Sequence, residues 1–212
     1  MLVQFIRSEV VIRPYSEKDS SQLVAVYKSA FAEEPWNEYV KCVSCNMNYG
    51  IKDILEITCK NCKNPLEVVE FWSTADIKSD LKFAQKQLKP IILVAESNNR
   101  LQGFTWGYAL PLEKFPFLEG RIGQDANYMD EIAVRGNARI QGIGTMLGDK
   151  YITSCIKQGI QEIVLRTDER NTASMSLFRK LGFTPISQNG KTNSWIYDPE
   201  YSERIYLRRG TR

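Results

Sequence analysis

Near the middle of this 212-residue chain an apolar strand passes through a glycine- and arginine-rich loop into an amphipathic helix, and the rest of the fold is read outward from that passage. The strand is Tyr128 to Val134 and carries two adjacent acids, Asp130 and Glu131. Gly142 opens a helix that runs to about Lys157. Between strand and helix lies Arg139-Ile140-Gln141-Gly142-Ile143-Gly144-Thr145. A helix start leaves backbone N–H groups unpaired and presents the positive end of the helix dipole, so this loop is a seat for an anion such as a pyrophosphate. Glycine there lets the backbone approach phosphate oxygens without a Cβ in the way, and Arg139 and Arg135 add charge. Taken alone, Gly-x-Gly ahead of a helix fits a tight steric turn equally well.

The strand-like run Val10 to Ile12 is followed by Ser16, an N-cap for a helix with Leu23, Val24, Tyr27, Ala30 and Phe31 at helical spacing. After Glu33-Glu34-Pro35-Trp36 that pattern stops, and residues 39–64 read as an insertion. Asn64-Pro65 with Glu67 predicts the start of a second helix, broken near Ser73 and ending about Leu88. From Pro90, Ile91 to Ala95, a polar turn at Ser97 to Arg100, and Leu101 to Leu110 predict an antiparallel hairpin. Beyond the central helix come a strand Glu162 to Arg166, a helix Ala173 to Leu181, and short strands at Phe183 to Ile186, Ser194 to Tyr197 and Arg204 to Leu207.

With 43% hydrophobic residues the chain builds one real core, so a single domain over 1–212 is expected. The net charge of +3 is too small to make the whole chain a polyanion binder. The absence of histidine excludes Ser-His-Asp, Cys-His and His-metal mechanisms, leaving Asp, Glu, Tyr, Lys, Cys, a terminus or water as the base. No apolar run has bilayer length, and the opening Met1 to Ile6 is broken by Arg7 and Glu9; a soluble cytoplasmic protein is the expectation.

Four of the five cysteines fall in two pairs, Cys42-x-x-Cys45 and Cys59-x-x-Cys62, with thirteen residues between them. That is the spacing of a structural tetrathiolate zinc site, ahead of an iron–sulfur cluster or two disulfides. Four protein ligands leave no position for water, so the element is assigned no catalysis. Ile54, Leu55 and Ile57 would form a connecting hairpin with a small apolar face. Lysines and acids in the element nearly balance once the thiolates are counted, which disfavours nucleic acid as its partner.

Tyr128 to Val134, then Arg139 to Gly144, then Asn171 with Ser174, and the ending Leu181-Gly182-Phe183 together resemble the GNAT superfamily of acetyl-CoA-dependent N-acetyltransferases. The match is ordered and correctly spaced, close over Ile91 to Phe183 and looser outside. The resemblance implies a mixed α/β (α+β) fold with a splayed central sheet flanked by helices, here with a zinc-ribbon-like insertion between the first two helices. It implies acetyl-CoA as co-substrate, its pyrophosphate on the backbone of Arg139, Ile140, Gln141, Gly142, Ile143, Gly144 and Thr145. The pantetheine arm would pair with the backbone of Ile132 and Val134, and Asn171 would contact the cofactor. Asn171 also suits an N-cap for the helix near Thr172. Family members often place a tyrosine one turn before the Gly-Phe pair as acid for the departing thiolate; this chain has Phe178, which lacks a proton to give. Tyr151, Cys155 or water could serve instead, or the thiolate could leave unassisted.

For the base, Asp130 matches the strand position where family members place a carboxylate or histidine, and it is ranked ahead of Glu131. Adjacent strand residues point to opposite faces, so at most one is well aimed unless a bulge intervenes. The Glu33 to Glu38 segment offers carboxylates and an aromatic wall for a cationic amine, or a solvated turn around a core Trp36. Cys155 reads as a core thiol, and Arg204, Arg208, Arg209 and Arg212 as a solvated terminal face. The expected activity is acetyl transfer to a primary amine of an unidentified acceptor; a homodimer is compatible with it, a membrane partner is not. The rival expectation is a zinc-ribbon module for nucleic acid or protein carrying a catalytically idle CoA-binding domain.

Overall fold

A computed structural model of the chain describes residues 9–139, 141–188 and 194–211. The apolar opening Met1 to Ile6, Ile140 of the glycine loop and Arg212 lie outside the described residues. Seven strands form the main sheet: β1 (Val11–Pro14), β5 (Ile91–Ser97), β6 (Arg100–Ala109), β7 (Asn127–Val134), β8 (Glu162–Asp168), β9 (Thr184–Pro185) and β10 (Arg204–Gly210). Their spatial order is β1-β5-β6-β7-β8-β10-β9. Neighbours run antiparallel except β7 and β8, which are parallel and joined by the crossover helix α3 (Ile143–Lys157). The hairpin β5–β6 turns through Asn98 and Asn99, both at positive φ, a conformation asparagine tolerates and one that matches the strand twist.

Period-two alternation gives each strand to two cores. Ile91, Leu93 and Ala95 of β5 pack under α3 and α4 (Thr172–Lys180), whereas Val94 faces α1 (Ser20–Phe31) and α2 (Thr74–Lys86). Leu23, Val26 and Tyr27 of α1 and Ile77 and Leu81 of α2 meet Phe104, Trp106 and Tyr108 of β6. On the far face Leu147, Tyr151 and Cys155 of α3 meet Met129 and Leu165. This is the mixed α/β architecture, a large sheet flanked by helices, that the element order implied.

Two irregularities position the site. First, β7 and β8 pair only at Asn127↔Ile163 and Tyr128↔Val164, then part, which leaves the β8-side edge of β7 open from Met129 to Val134. Second, the β6–β7 register slips between Trp106↔Glu131 and Gly107↔Met129, so Asp130 is the extra residue of a β-bulge. Gly107 is required there: a Cβ would meet the Tyr151 hydroxyl at 1.9 Å and the Tyr128 carbonyl at 2.2 Å.

The segment after α1 corrects one expectation. No helix starts at Asn64; Val68 to Glu70 instead form β4, which with β2 (Val40–Cys42) and β3 (Asn48–Tyr49) makes a separate three-stranded sheet, order β3-β2-β4. Val68 and Val69 are β-branched and register with Cys42 and Lys41. Ser73, read from the sequence as a break, is the N-cap of α2: its hydroxyl accepts the Asp76 N–H while the Asp76 carboxylate accepts the Ser73 N–H. The apolar face expected of Ile54, Leu55 and Ile57 does not form: all three side chains are exposed, Ile57 at 90%, although Ile57 and Thr58 meet Leu66 and Pro65 across the second cysteine turn. Among the described residues no helix is long and apolar enough to cross a membrane.

Candidate active site and cysteine cluster

The open edge of β7 borders a cleft of about 680 Å³. Its floor is Ile132, Ala133 and Val134; its ends are Arg139 and the first turn of α3, with Asn171 and Ser174 across from them. Gly142 is the N-cap of α3 at φ +81, a left-handed conformation that turns the chain sharply into the helix. The first intrahelical bond runs from Met146 N–H to the Gly142 carbonyl, so the N–H groups of Ile143, Gly144 and Thr145 have no partner within the helix. The cleft thus offers an unpaired strand edge beside a helix N-terminus, able to hold an extended arm and an anionic head.

Most of the predicted cofactor residues gather in this cleft. Ile132, Val134, Arg139, Gly142, Ile143, Gly144, Thr145, Asn171 and Ser174 line it. Asn171 is also the cap foreseen for α4, its side-chain oxygen accepting the Ser174 N–H at 3.0 Å. Gln141 is in the loop but turns to the Asn137 carbonyl. Phe178 does not line the cleft; it is 5% exposed and packs edge-on against Phe183 in the core. Arg139 is partly engaged, with Glu33 at 3.0 Å and the Ala30 carbonyl. Arg135 is turned away to the Leu101 carbonyl, so the charge it was expected to add to the loop is spent elsewhere.

Beside the cleft, on the α1–α2 face, a cavity of about 930 Å³ opens, and Phe31, Pro35 and Trp36 line both spaces. Because of the bulge, Asp130 and Glu131 both face this cavity, where regular alternation would have aimed one of them away. The Trp106 indole N–H and the Tyr108 hydroxyl each donate to Asp130 Oδ2 at 3.2 Å. The Tyr27 hydroxyl donates to Glu131 Oε1 at 3.4 Å. Burial pushes the Asp130 carboxyl up, and those two donors only partly hold it down. Burial pushes Glu131 well above its usual range, and the neighbouring Asp130 charge adds to the rise. The pair therefore titrates together, nearer neutrality than free carboxylates.

Two proton donors weighed for the thiolate are removed by their surroundings. Tyr151 is fully buried, its hydroxyl bound to the Asn127 side-chain oxygen, and burial pushes it well above its usual range. Cys155 is a core thiol, as expected, pushed up to about 12 by burial. Other cavity residues escaped the sequence reading. Tyr27, Trp106 and Tyr108 had a visible signal, the period-two aromatics of β6 opposite the aromatic stripe of α1. Arg166 of β8 and Arg204 of β10 had none, because it is the opening of the sheet that exposes them. The terminal arginines are accordingly not one solvated face: Arg204 is in this cavity, and Arg209 has a buried nitrogen without a partner among the described residues.

The four paired cysteines converge. Their sulfurs all lie within 4.8 Å of one another, with Cys42–Cys62 at 4.0 Å and Cys45–Cys59 at 3.6 Å. A tetrahedral ion with metal–sulfur bonds of about 2.3 Å needs sulfur–sulfur edges of about 3.8 Å, so the donor set fits zinc. The two halves are built alike: Asn46 N–H bonds the Cys42 carbonyl and Lys63 N–H the Cys59 carbonyl, and Asn46 and Lys63 both take positive φ. The Tyr49 hydroxyl donates to Cys59 Sγ at 3.3 Å, a bond that favours the thiolate.

An α/β sheet split beside a helix start, with a carboxylate pair in the adjoining cavity, has the outline of a two-substrate transferase, and the comparisons place it. The model of the acetyltransferase (GNAT) family matches residues 51–183, well over half of the chain, and the chain belongs to that family. A mycothiol acetyltransferase from Arthrobacter sp. (strain FB24) is 33% identical over 99 residues. That stretch is 44% of this chain and spans only 27% of the relative's length. Among solved structures, the PaiA N-acetyltransferase from Thermoplasma acidophilum in complex with coenzyme A superposes with a TM-score of 0.61 at 15% identity, over 95% of this chain and 99% of that one. An N-acetyltransferase from Staphylococcus aureus Mu50 gives 0.60 at 16% identity, over 97% and 100%. The fold therefore extends past both ends of the family match.

Proposed function

We propose that the chain is one N-acetyltransferase domain that uses acetyl-CoA, with the acceptor amine entering the 930 Å³ cavity and attacking the thioester directly. The observation that carries this reading is the adjacency of the two spaces: the cleft along the open edge of β7 meets the carboxylate-lined cavity at Glu131 and Ile132, consecutive residues. Coenzyme A bound to the Thermoplasma relative supports the same occupant here. In this reading the amides of Ile143, Gly144 and Thr145 take the pyrophosphate, and the backbone of Ile132 and Val134 pairs with the pantetheine arm.

The chemistry follows from charge and geometry. The acceptor enters as an ammonium, Asp130 with Glu131 accepts its proton, and the free amine nitrogen attacks the thioester carbonyl carbon. The tetrahedral adduct then loses the second nitrogen proton to solvent water, the C–S bond breaks to leave the amide, and CoA departs as a thiolate that takes its proton from solvent. With a thiol pKa of about 8.5 this group departs without a dedicated acid, so Phe178 in place of a tyrosine is no obstacle. Raised carboxyls are the better bases, which argues against the rival reading of an idle domain. Turnover is expected to rise from acid toward alkaline pH, first as the carboxylate pair ionises and then as the ammonium loses its proton. CoA-thiol release followed against pH with excess primary amine checks this; a flat profile, or release independent of amine, contradicts it.

The cysteine cluster is read as a structural zinc site held by Cys42, Cys45, Cys59 and Cys62. When bound, zinc ties the two turns together and supplies no catalysis, because all four positions are taken by protein. The element proposed over 39–64 gains β4 as its third strand. Elemental analysis of protein purified under reducing, chelator-free conditions is expected to give one zinc per chain; iron, or no metal, contradicts it. Chelation is expected to loosen residues 40–70 while CoA still binds.

A further inference from the structure

The amine-side cavity carries an arginine, Arg204, that makes no ion pair among the described residues. Arg166 is paired with Asp198 at 2.7 Å and Arg170 with Asp168 at 2.6 Å. Arg204 has no carboxylate within 4.0 Å among the described residues, and its Nε is buried without a hydrogen-bond partner. Its guanidinium is held by rings instead, 4.2 Å from the Tyr201 centroid and 5.2 Å from that of Trp36. Such a clamp fixes the cation on the cavity wall and leaves its N–H groups to find an anion. Glu38 feels the Arg204 charge without reaching it; burial pushes this carboxyl up, and its hydrogen bond comes from the Trp72 indole at 2.7 Å.

The carboxylates of the same cavity are in the opposite condition. Asp130, Glu131 and Glu38 accept hydrogen bonds from neutral tyrosine and tryptophan donors, and among the described residues none is in an ion pair. A ligand that settles both kinds of group carries a cation and an anion at separate points. Building on the acetyltransferase reading, we propose that the acceptor is a zwitterionic amine of the amino-acid or short-peptide kind. Its amine goes to Asp130 and Glu131, its anionic group to Arg204, and an apolar or aromatic side chain takes up the rest of the cavity. The ring walls of Phe71, Trp72 and Trp106 suit that side chain. Arg204 would also repel the second ammonium of a diamine, so the site selects against polyamines that the carboxylates alone would welcome.

Steady-state kinetics on matched acceptors test this. L-phenylalanine is compared with phenylalaninamide and phenethylamine, β-alanine with propylamine, and 2-aminoethyl phosphate separates phosphate from carboxylate as the anion; 1,4-diaminobutane and the dipeptide Ala-Phe complete the panel. The anion-bearing member of a pair is expected to have kcat/KM at least about tenfold above its neutral partner and above the diamine. Arg204→Met is expected to raise KM for that acceptor about ten- to a hundredfold, with kcat moved less, and to bring the ratio between partners near one. Arg204→Lys, which keeps the charge, recovers part of the preference and shows that lost folding is not the cause. Neutral amines or the diamine matching the zwitterions, or a ratio that survives Arg204→Met, overturns the proposal. Failure of the parent reading looks different: acetyl-CoA stays intact with every amine in the panel.

Discussion

Asp130→Asn lowers turnover about ten- to a thousandfold while CoA affinity stays at the wild-type level. The amide keeps the shape and the acceptor oxygen for Trp106 and Tyr108, but it takes no proton and does not attract an ammonium. CoA affinity is spared because Asp130 lines the cavity and not the cleft. Glu131→Gln is expected to cost less: Asp130 accepts two hydrogen bonds that favour its charged form, whereas Glu131 accepts one, at 3.4 Å. Neither variant is expected to unfold the protein. A carboxyl whose folded pKa is raised lowers stability as pH climbs from its unfolded pKa to its folded one and costs a constant amount above that, and an amide removes this loss. Single-turnover acetyl transfer with calorimetric CoA titration separates the outcomes. Wild-type turnover in Asp130→Asn with loss in Glu131→Gln assigns the base to Glu131. Wild-type turnover in both rules out a carboxylate base.

Gly142→Val removes CoA binding, by a hundredfold or more. Gly142 sits at φ +81 as the N-cap of α3, and among the described residues nothing lies within 4 Å of the Cβ that valine adds. The cost is conformational. A β-branched residue disfavours this region by about 1–3 kcal/mol and is relieved by turning the peptide, which swings the N–H groups of Ile143 to Thr145 out of line. Since each tenfold in affinity is about 1.4 kcal/mol, losing two amide contacts to a charged group accounts for the full effect. Gly120→Val is the matched control: it has φ +71, equally open space, and no place in the cleft, so it leaves CoA affinity unchanged. Equal loss in both variants would mean that general destabilisation, and not the amide array, lowers affinity.

What was legible in the sequence was whatever a local pattern determines. The turn into α3 at Gly142, the hairpin through Asn98 and Asn99, and the convergence of the cysteine pairs each follow from their own local backbone. The failures are non-local. Asn64-Pro65 carries a good helix-start signal, yet Val68 to Glu70 pair with Val40 to Cys42 of β2, far upstream, and tertiary pairing overrides local preference. The bulge at Asp130 depends on Gly107 in a different strand, so the shared facing of Asp130 and Glu131 was open to the sequence only as an exception. Arg204 joins the cavity through the opening of the sheet between β7 and β8, which no residue near position 204 encodes.

Titrating CoA into the wild-type protein by calorimetry tests the cofactor assignment most directly. The open strand edge, the helix start and the family membership all converge on that ligand. The expected result is saturable binding at one site per chain with a dissociation constant in the micromolar range, about −8 kcal/mol. Folded protein that takes up no CoA would contradict the account at its centre, since the cleft along β7 would then be without the occupant that gives Asp130, Glu131 and the amine cavity their role.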